Sequence, residues 1–353
     1  MPYLDPLLPL ADVLDPVLDP LTVRAVRPIL RIVAGPPLRA QRAALRERAL
    51  PDAIARWSPR IDALAGGSVS EYDATVGAAV ADLRGDAEAQ VVEGPIERAA
   101  HAFDRAWYAN DPEWIDDPRL PRHVRVRALD RLDRLNETIG AYEAFFAAIE
   151  PLVEHARRSG VECPTLVDLC SGHAMFAVAM ALRFGAREGR CRVVATDLVP
   201  EYLGIGEAHA RRLFLPESAL AFVPHDALDL ASLPAKIGGA IDVVTCTQSI
   251  HHFPPGFVAR MLGAGASAAR SGAVLVDGER NAVAGVTITL LSAFIGRLGM
   301  PIVHDSFVSL RRMFTEQELA LIAALARDDD GRPLDVERGW LSPGHVFVRA
   351  TTA

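Results

Sequence analysis

The chain has 353 residues, of which 50% are hydrophobic and 23% charged, with a formal net charge of −8. That length holds two domains or one large one with a sizeable core. The acidic total argues against a nucleic-acid partner gripped through its phosphates, because such proteins usually present a basic face.

The first thirty residues repeat Leu-Asp-Pro at Leu4–Pro6, Leu14–Pro16 and Leu18–Pro20. Proline at this density suits short helical turns and caps rather than one long helix. From Arg39 to Glu154 the pattern is helical, rich in alanine, leucine and arginine. Its clearest member is predicted over Val124–Ile149, where Leu129, Leu132, Leu135, Ile139, Tyr142, Phe146 and Ile149 form one apolar stripe. The proline- and aromatic-rich segment Trp107–Pro121 reads as a loop. Arg157, Arg158, Ser159 and Gly160 close the helical part, with basic residues in the last turn and a glycine just beyond. This places a helical N-terminal domain at 1–158, expected as a cap, a candidate homodimer surface, or both.

From 159 to 353 short apolar runs alternate with helical patterns. Strands are predicted at Thr165–Leu169, Arg192–Thr196, Leu220–Val223, Ile241–Thr245, Ala273–Val276, Leu334–Val336 and His345–Arg349. The alternation implies an α/β fold with a doubly wound, mainly parallel sheet. The last two strands lie close enough for an antiparallel pair at the edge. Thr315-Glu316-Gln317-Glu318 reads as a capping box opening a helix through Ala326.

Ligands of open α/β sheets bind beyond the carboxyl ends of the strands. There the first strand is followed by Asp168 and Cys170-Ser171-Gly172-His173-Ala174, a tight turn into a helix. The second ends at Asp197-Leu198, where a carboxylate can accept both hydroxyls of a ribose. The third leads to Asp226-Ala227, the fourth to Thr247-Gln248-Ser249-Ile250-His251-His252-Phe253, and the fifth to Asp277-Gly278-Glu279. The four cysteines, Cys163, Cys170, Cys191 and Cys246, form no CxxC pair, so no metal site is expected and free thiols in a reducing compartment are. The N-terminus has acids and prolines where a secretory signal has basic residues, so a cytoplasmic location is expected. The uncharged run Ala282–Gly296 is too short to span a bilayer comfortably, so no stable membrane insertion is expected.

The ordered series of strand-end acids resembles the class I S-adenosylmethionine-dependent methyltransferases over Val161–Ala350. Asp168–Ala174 resembles their first motif, Asp-x-Gly-x-Gly-x-Gly, with only Gly172 kept and Cys170 and Ala174 in the outer glycine positions. Asp242–Pro254 resembles the fourth motif of the small-molecule members. The resemblance implies a Rossmann-like, seven-stranded, mainly parallel sheet and S-adenosyl-L-methionine as cofactor. It implies Asp168, Cys170, Ser171, Gly172, His173, Asp197, Leu198, Asp226, Ala227 and Thr247 as cofactor-binding positions.

Methyl transfer is a displacement at an already activated sulfonium carbon, so alignment and exclusion of water dominate. An oxygen or carbon acceptor also needs a proton removed. Histidine titrates in the right range, which makes His251, His252 and His304 the candidate bases. Tyr142, Phe146, Gln248 and Phe294 are the candidate substrate contacts, Phe294 within an apolar segment, Val283–Ile295, that reads either as a lid or as a core helix. The expected activity is methyl transfer to a small, largely apolar acceptor of the natural-product kind. Methylation of protein or nucleic acid, and a non-catalytic binding or scaffold role on the same fold, stay open as alternatives.

Overall fold

The computed structural model describes residues 36–64, 67–89, 108–109, 111–117, 119–186, 188–280, 301–341 and 344–352. The Leu-Asp-Pro repeats and the segment carrying Phe294 lie outside them.

The sheet has seven strands: β1 Thr165–Leu169, β2 Arg192–Asp197, β3 Leu220–Pro224, β4 Val243–Thr247, β5 Ala273–Gly278, β6 Leu334–Leu341 and β7 His345–Thr352. Their order is β3-β2-β1-β4-β5-β7-β6. The first five run parallel, β7 is antiparallel to β5, and β6 is antiparallel to β7. The chain reverses its direction of travel between β1 and β4, which opens a crevice at their carboxyl ends.

Both faces of the sheet are covered, so neighbouring residues of one strand enter different cores. Val167, Leu169, Ala273 and Leu275 belong to one buried cluster, while Leu166, Val274 and Val276 belong to the other. That is why these strands read as continuous apolar runs. The first cluster is completed by α1 Pro36–Asp62, α2 Val69–Ala89, α8 Pro255–Ala268 and α10 Glu316–Leu325. The second is completed by α4 Ala141–Arg158, α5 Met175–Arg183 and α6 Pro200–Arg212. Helices from the first half of the sequence therefore share their buried side chains with the sheet on both faces. The remaining helices among the described residues are α3 Arg122–Ile139, α7 Leu233–Ile237 and α9 Pro301–Arg312.

The helix predicted over Val124–Ile149 is two helices, α3 and α4, broken at Gly140. Gly140 sits at φ +81°, and its N–H reaches back to the carbonyls of Asn136 and Glu137. A left-handed residue ends a helix whatever the apolar periodicity around it. Strand β4 begins two residues later than predicted, although Asp242 just before it already bonds to its neighbours: its N–H donates to the Thr165 carbonyl at 3.0 Å and its carbonyl accepts the Ser271 N–H at 2.9 Å. Its carboxylate accepts the Thr165 N–H at 2.7 Å and the Arg270 guanidinium at 2.7 Å.

The Thr315–Glu318 capping box forms with both reciprocal bonds. Glu318 is fully buried and also pairs with Arg280 and Arg84. Burial alone would lift its pKa, but those guanidinium charges outweigh it and hold the carboxylate far below its usual range. Among the described residues no helix is long and apolar enough to cross a membrane.

Candidate active site

A cavity of about 630 Å³ opens at the carboxyl ends of β1, β2, β4 and β5, within the range of small-molecule sites. Its two halves are built differently.

The first half is a single turn of chain. After β1 the backbone passes through Cys170 at φ +53°, Gly172 at φ +53° and Ala174 at φ +59° before entering α5. The two residues that replace glycines thus keep left-handed conformations, each at a cost of about 1–2 kcal/mol. The turn is held from within. The Ser171 N–H donates to the Thr196 carbonyl at 2.9 Å, and its hydroxyl donates to Asp168 Oδ2 at 2.7 Å. Asp197, at the end of β2, accepts the Gly172 N–H at 2.9 Å and the Val199 N–H at 2.8 Å. Helix α6 crosses so close that a Cβ on Gly206 would lie 2.7 Å from the His173 carbonyl oxygen, which requires glycine there. A Cβ on Gly172, by contrast, would meet nothing within 4 Å, so this backbone faces open space.

Asp168 is the unusual group of this half. It is buried, and its Oδ1 has no hydrogen-bond partner among the described residues. Burial pushes its pKa up to about 7, with the Asp197 charge adding and the Ser171 hydrogen bond opposing. Burial also raises Asp197 and lowers His173 to about 4. An orphaned carboxylate oxygen beside open backbone suits a ligand carrying an ammonium group.

The second half is assembled from distant segments. The single-turn 3₁₀ helix Ile250–His252 after β4 delivers His251 and His252, with ring centroids 4.3 Å apart. Asp277, at the end of β5, accepts from both the backbone N–H and Nδ1 of His251, at 3.0 and 2.8 Å. The loop read from sequence at Trp107–Pro121 contains a 3₁₀ turn, Trp114–Asp116, preceded by Glu113. Glu113 Oε1 lies 3.5 Å from His251 Nε2, and Asp116 lies 3.3 Å from His252 Nδ1.

Helix α9 fixes that loop. Asp305 accepts the Trp114 and Ile115 N–H groups at 2.8 and 3.0 Å, Ser309 donates to Glu113 at 2.6 Å, and Arg312 stands 3.7 Å from Glu113. Burial alone would lower His251, but the charge of Asp277, then Glu113, outweighs it and holds the imidazole up to about 10. Burial alone would raise Asp277 and Glu113, yet the adjacent imidazoles keep both below the usual carboxylate range.

Apolar side chains of Leu129, Leu132, Ile115, Leu310, Met313 and Phe253 line the cavity. Between the halves Asn136 and Gln248 join their amides reciprocally, at 2.5 and 3.1 Å. Gln248 is held at φ +54° to do so, a strain typical of functional sites.

Of the residues singled out from sequence, Asp168, Cys170, Ser171, Gly172, His173, Asp197, Thr247, Gln248, Tyr142, His251 and His252 line the cavity. Five others in the described residues do not. Leu198 points outward at 70% exposure. Asp226 is exposed and caps its own turn through the Leu228 N–H, while Ala227 is packed in the core. Phe146 is stacked on Phe176 within the α4–α5 cluster. His304 is stacked on Trp114 at 4.0 Å and bonded to Asp305. In the sequence Asp277 is legible as a strand-end acid but not as the partner of His251. Glu113, Asp116 and Asn136 carried no signal, being an acid pair in an irregular loop and one amide in a polar helix.

No protein-family model matches the chain. A comparison with curated proteins also gives no match. Solved structures do align. The magnesium protoporphyrin IX methyltransferase of Synechocystis PCC 6803 with bound SAH shares 14% identity, covering 65% of this chain and 94% of that one, with a TM-score of 0.42. The plantazolicin methyltransferase BamL shares 11% identity over 73% of this chain and 100% of that one, with a TM-score of 0.46. Human N-acetylserotonin methyltransferase shares 14% over 65% and 56%, with a TM-score of 0.41. By its strand order, its antiparallel β7 and its helices on both faces, the chain has a Rossmann-like, doubly wound fold with a seven-stranded, mainly parallel sheet.

Proposed function

We propose that this chain transfers the methyl group of S-adenosyl-L-methionine to a small, largely apolar acceptor. One observation carries the reading. A single cavity joins an orphaned, buried Asp168 oxygen and the open Gly172 backbone to a histidine–carboxylate cluster walled by apolar side chains. The first half suits a donor with an ammonium group and a ribose. Asp168 would face the ammonium, and Asp197, with acceptor capacity left beyond its two N–H bonds, would face the ribose hydroxyls.

In the reaction a lone pair on the acceptor forms a bond to the methyl carbon as the carbon–sulfur bond breaks. S-adenosylhomocysteine leaves as a neutral thioether, and the acceptor's proton passes to a base. His251, holding a proton between Asp277 and Glu113, orients and polarises this end. His252, partly open to the cavity and next to both Glu113 and Asp116, is the nearer proton acceptor. The cavity wall from Leu129 to Asn136 and the 113–116 loop both come from the N-terminal half, which supports a capping role for residues 1–158. The free thiols agree with a reducing, cytoplasmic setting.

Calorimetric titration of the purified chain with S-adenosylhomocysteine tests the donor half; folded protein that binds none would refute it. Transfer of labelled methyl from S-adenosylmethionine across a panel of phenolic, heteroaromatic and amine acceptors tests the rest. His252→Ala should lower turnover at saturating donor while leaving donor affinity within threefold. Unchanged turnover would assign proton removal elsewhere.

A further inference from the structure

His251 and His252 are held in the same way. Each imidazole is gripped at Nδ1 by its own carboxylate and turns Nε2 toward a third carboxylate that both share. For His251 the grip is Asp277, at 2.8 Å; for His252 it is Asp116, at 3.3 Å. The shared group is Glu113, whose Oε1 lies 3.5 Å from His251 Nε2 and whose Oε2 lies 3.9 Å from His252 Nε2.

These last two distances are too long for charge-assisted hydrogen bonds, which run about 2.7–2.9 Å. The first matches the edge of a coordination tetrahedron and the second is somewhat longer. Ligand bonds of about 2.0–2.2 Å to one cation separate neighbouring donor atoms by roughly 3.3–3.6 Å. Among the described residues Glu113, His251 and His252 are the one such group, with donor atoms all within 4.8 Å of one another. A carboxylate on the far nitrogen of each ring is the usual support of a metal-bound histidine, because it fixes the tautomer and makes the free nitrogen more basic.

Charge points the same way. Glu113, Asp116 and Asp277 bring three negative charges, and Arg312, 3.7 Å from Glu113 and 3.9 Å from Asp116, offsets one. Imidazole donors favour zinc-like transition metals over magnesium or calcium, which prefer oxygen.

We propose that Glu113, His251 and His252 bind a divalent transition-metal ion of the zinc class, with a fourth position open to the cavity. Binding does not depend on the methyl-donor reading; only its consequence does. With the ion bound, His252 is a ligand and no longer the proton acceptor; an acceptor hydroxyl on the open position would lose its proton to solvent, and the resulting oxygen anion would attack the methyl carbon as the carbon–sulfur bond breaks. A donor set of two imidazoles and one carboxylate with an open position is of the kind found in catalytic zinc sites.

The test uses the full chain, free of any affinity tag and stripped with a chelator. Zinc is titrated by calorimetry and cobalt(II) by visible absorption. The expected result is one equivalent of zinc and an intense cobalt band of a four- or five-coordinate site. Glu113→Gln and His252→Ala should each weaken binding at least tenfold with circular dichroism unchanged. Asp197→Ala should leave metal affinity within threefold while lowering affinity for S-adenosylhomocysteine, which separates failure of this proposal from failure of the donor assignment. No saturable binding, equal affinity in both ligand variants, or a hexa-aqua cobalt spectrum would overturn it.

Discussion

The two halves of the cavity differ in how far the chain travels to make them. The donor half is local: strand, turn and helix from Asp168 to Ala174, plus one acid from the neighbouring strand. It uses backbone as much as side chain. The acceptor half joins the 113–116 loop, the His251–His252 turn, the end of β5 and helix α9, and depends on buried side-chain charges. A local half rests on the geometry of one turn. An assembled half rests on every element that positions it, so it is the easier to vary between acceptors and the easier to break.

Asp277→Ala should open the widest gap between the halves. It leaves His251 buried without its main partner, and breaking such a pair costs about 3–5 kcal/mol. Urea unfolding would read that loss. Below the unfolding transition, affinity for S-adenosylhomocysteine should stay within threefold of the parent; a larger fall would mean that the halves are coupled.

Asp197→Ala is the converse. Loss of a carboxylate that accepts from a ligand costs about 1.5–3 kcal/mol, roughly 10–150-fold in affinity for S-adenosylhomocysteine, measured by calorimetry. Unchanged affinity would remove Asp197 from the site.

A smaller effect is expected from pH. Asp168 titrates near 7 in the ligand-free protein, against 3.8 as its ordinary value. The folded chain therefore binds a proton that the unfolded chain has released, and its stability falls as pH rises from about 4 to about 7. A ligand ammonium pairs only with the ionised form. Affinity for S-adenosylhomocysteine should thus rise by up to about tenfold per pH unit below 7 and level off above about 8. Asp168→Asn should abolish the slope; a slope that survives would assign the proton elsewhere.

The smallest effect is expected at Cys170, whose φ of +53° suits glycine. Cys170→Gly should change stability by no more than about 1 kcal/mol, in the stabilising direction, and leave donor affinity within threefold. A clear loss would mean that the cysteine side chain does more for the turn than its strain costs.

Much of the fold is legible along the sequence, and the reason is period. β1 spans the predicted Thr165–Leu169 because a strand covered on both faces is mostly apolar, here Leu166, Val167 and Leu169, with Asp168 as the exception. The Thr315 capping box is local in the same sense, being a bond between residues three apart. Legibility fails where one residue overrides a pattern. Gly140 cuts an apolar stripe in two. The donor half follows the same division. Asp168, Gly172 and Asp197 are found by the rule that ligands sit at strand ends, whereas Asp226 obeys the rule in sequence and faces solvent in space.

Alone, then, the sequence determined the layered α/β sheet and the tight turn after β1, because both arise from short-range periodicity and from backbone conformations that few residues allow. Only the tertiary structure decided the acceptor half. Nothing near Glu113 in the chain announces its partners; its place depends on Asp305 and Ser309 holding the loop and on Asp277 holding His251. Buried charges are tolerated only when brought together, and that meeting exists only once the chain is folded.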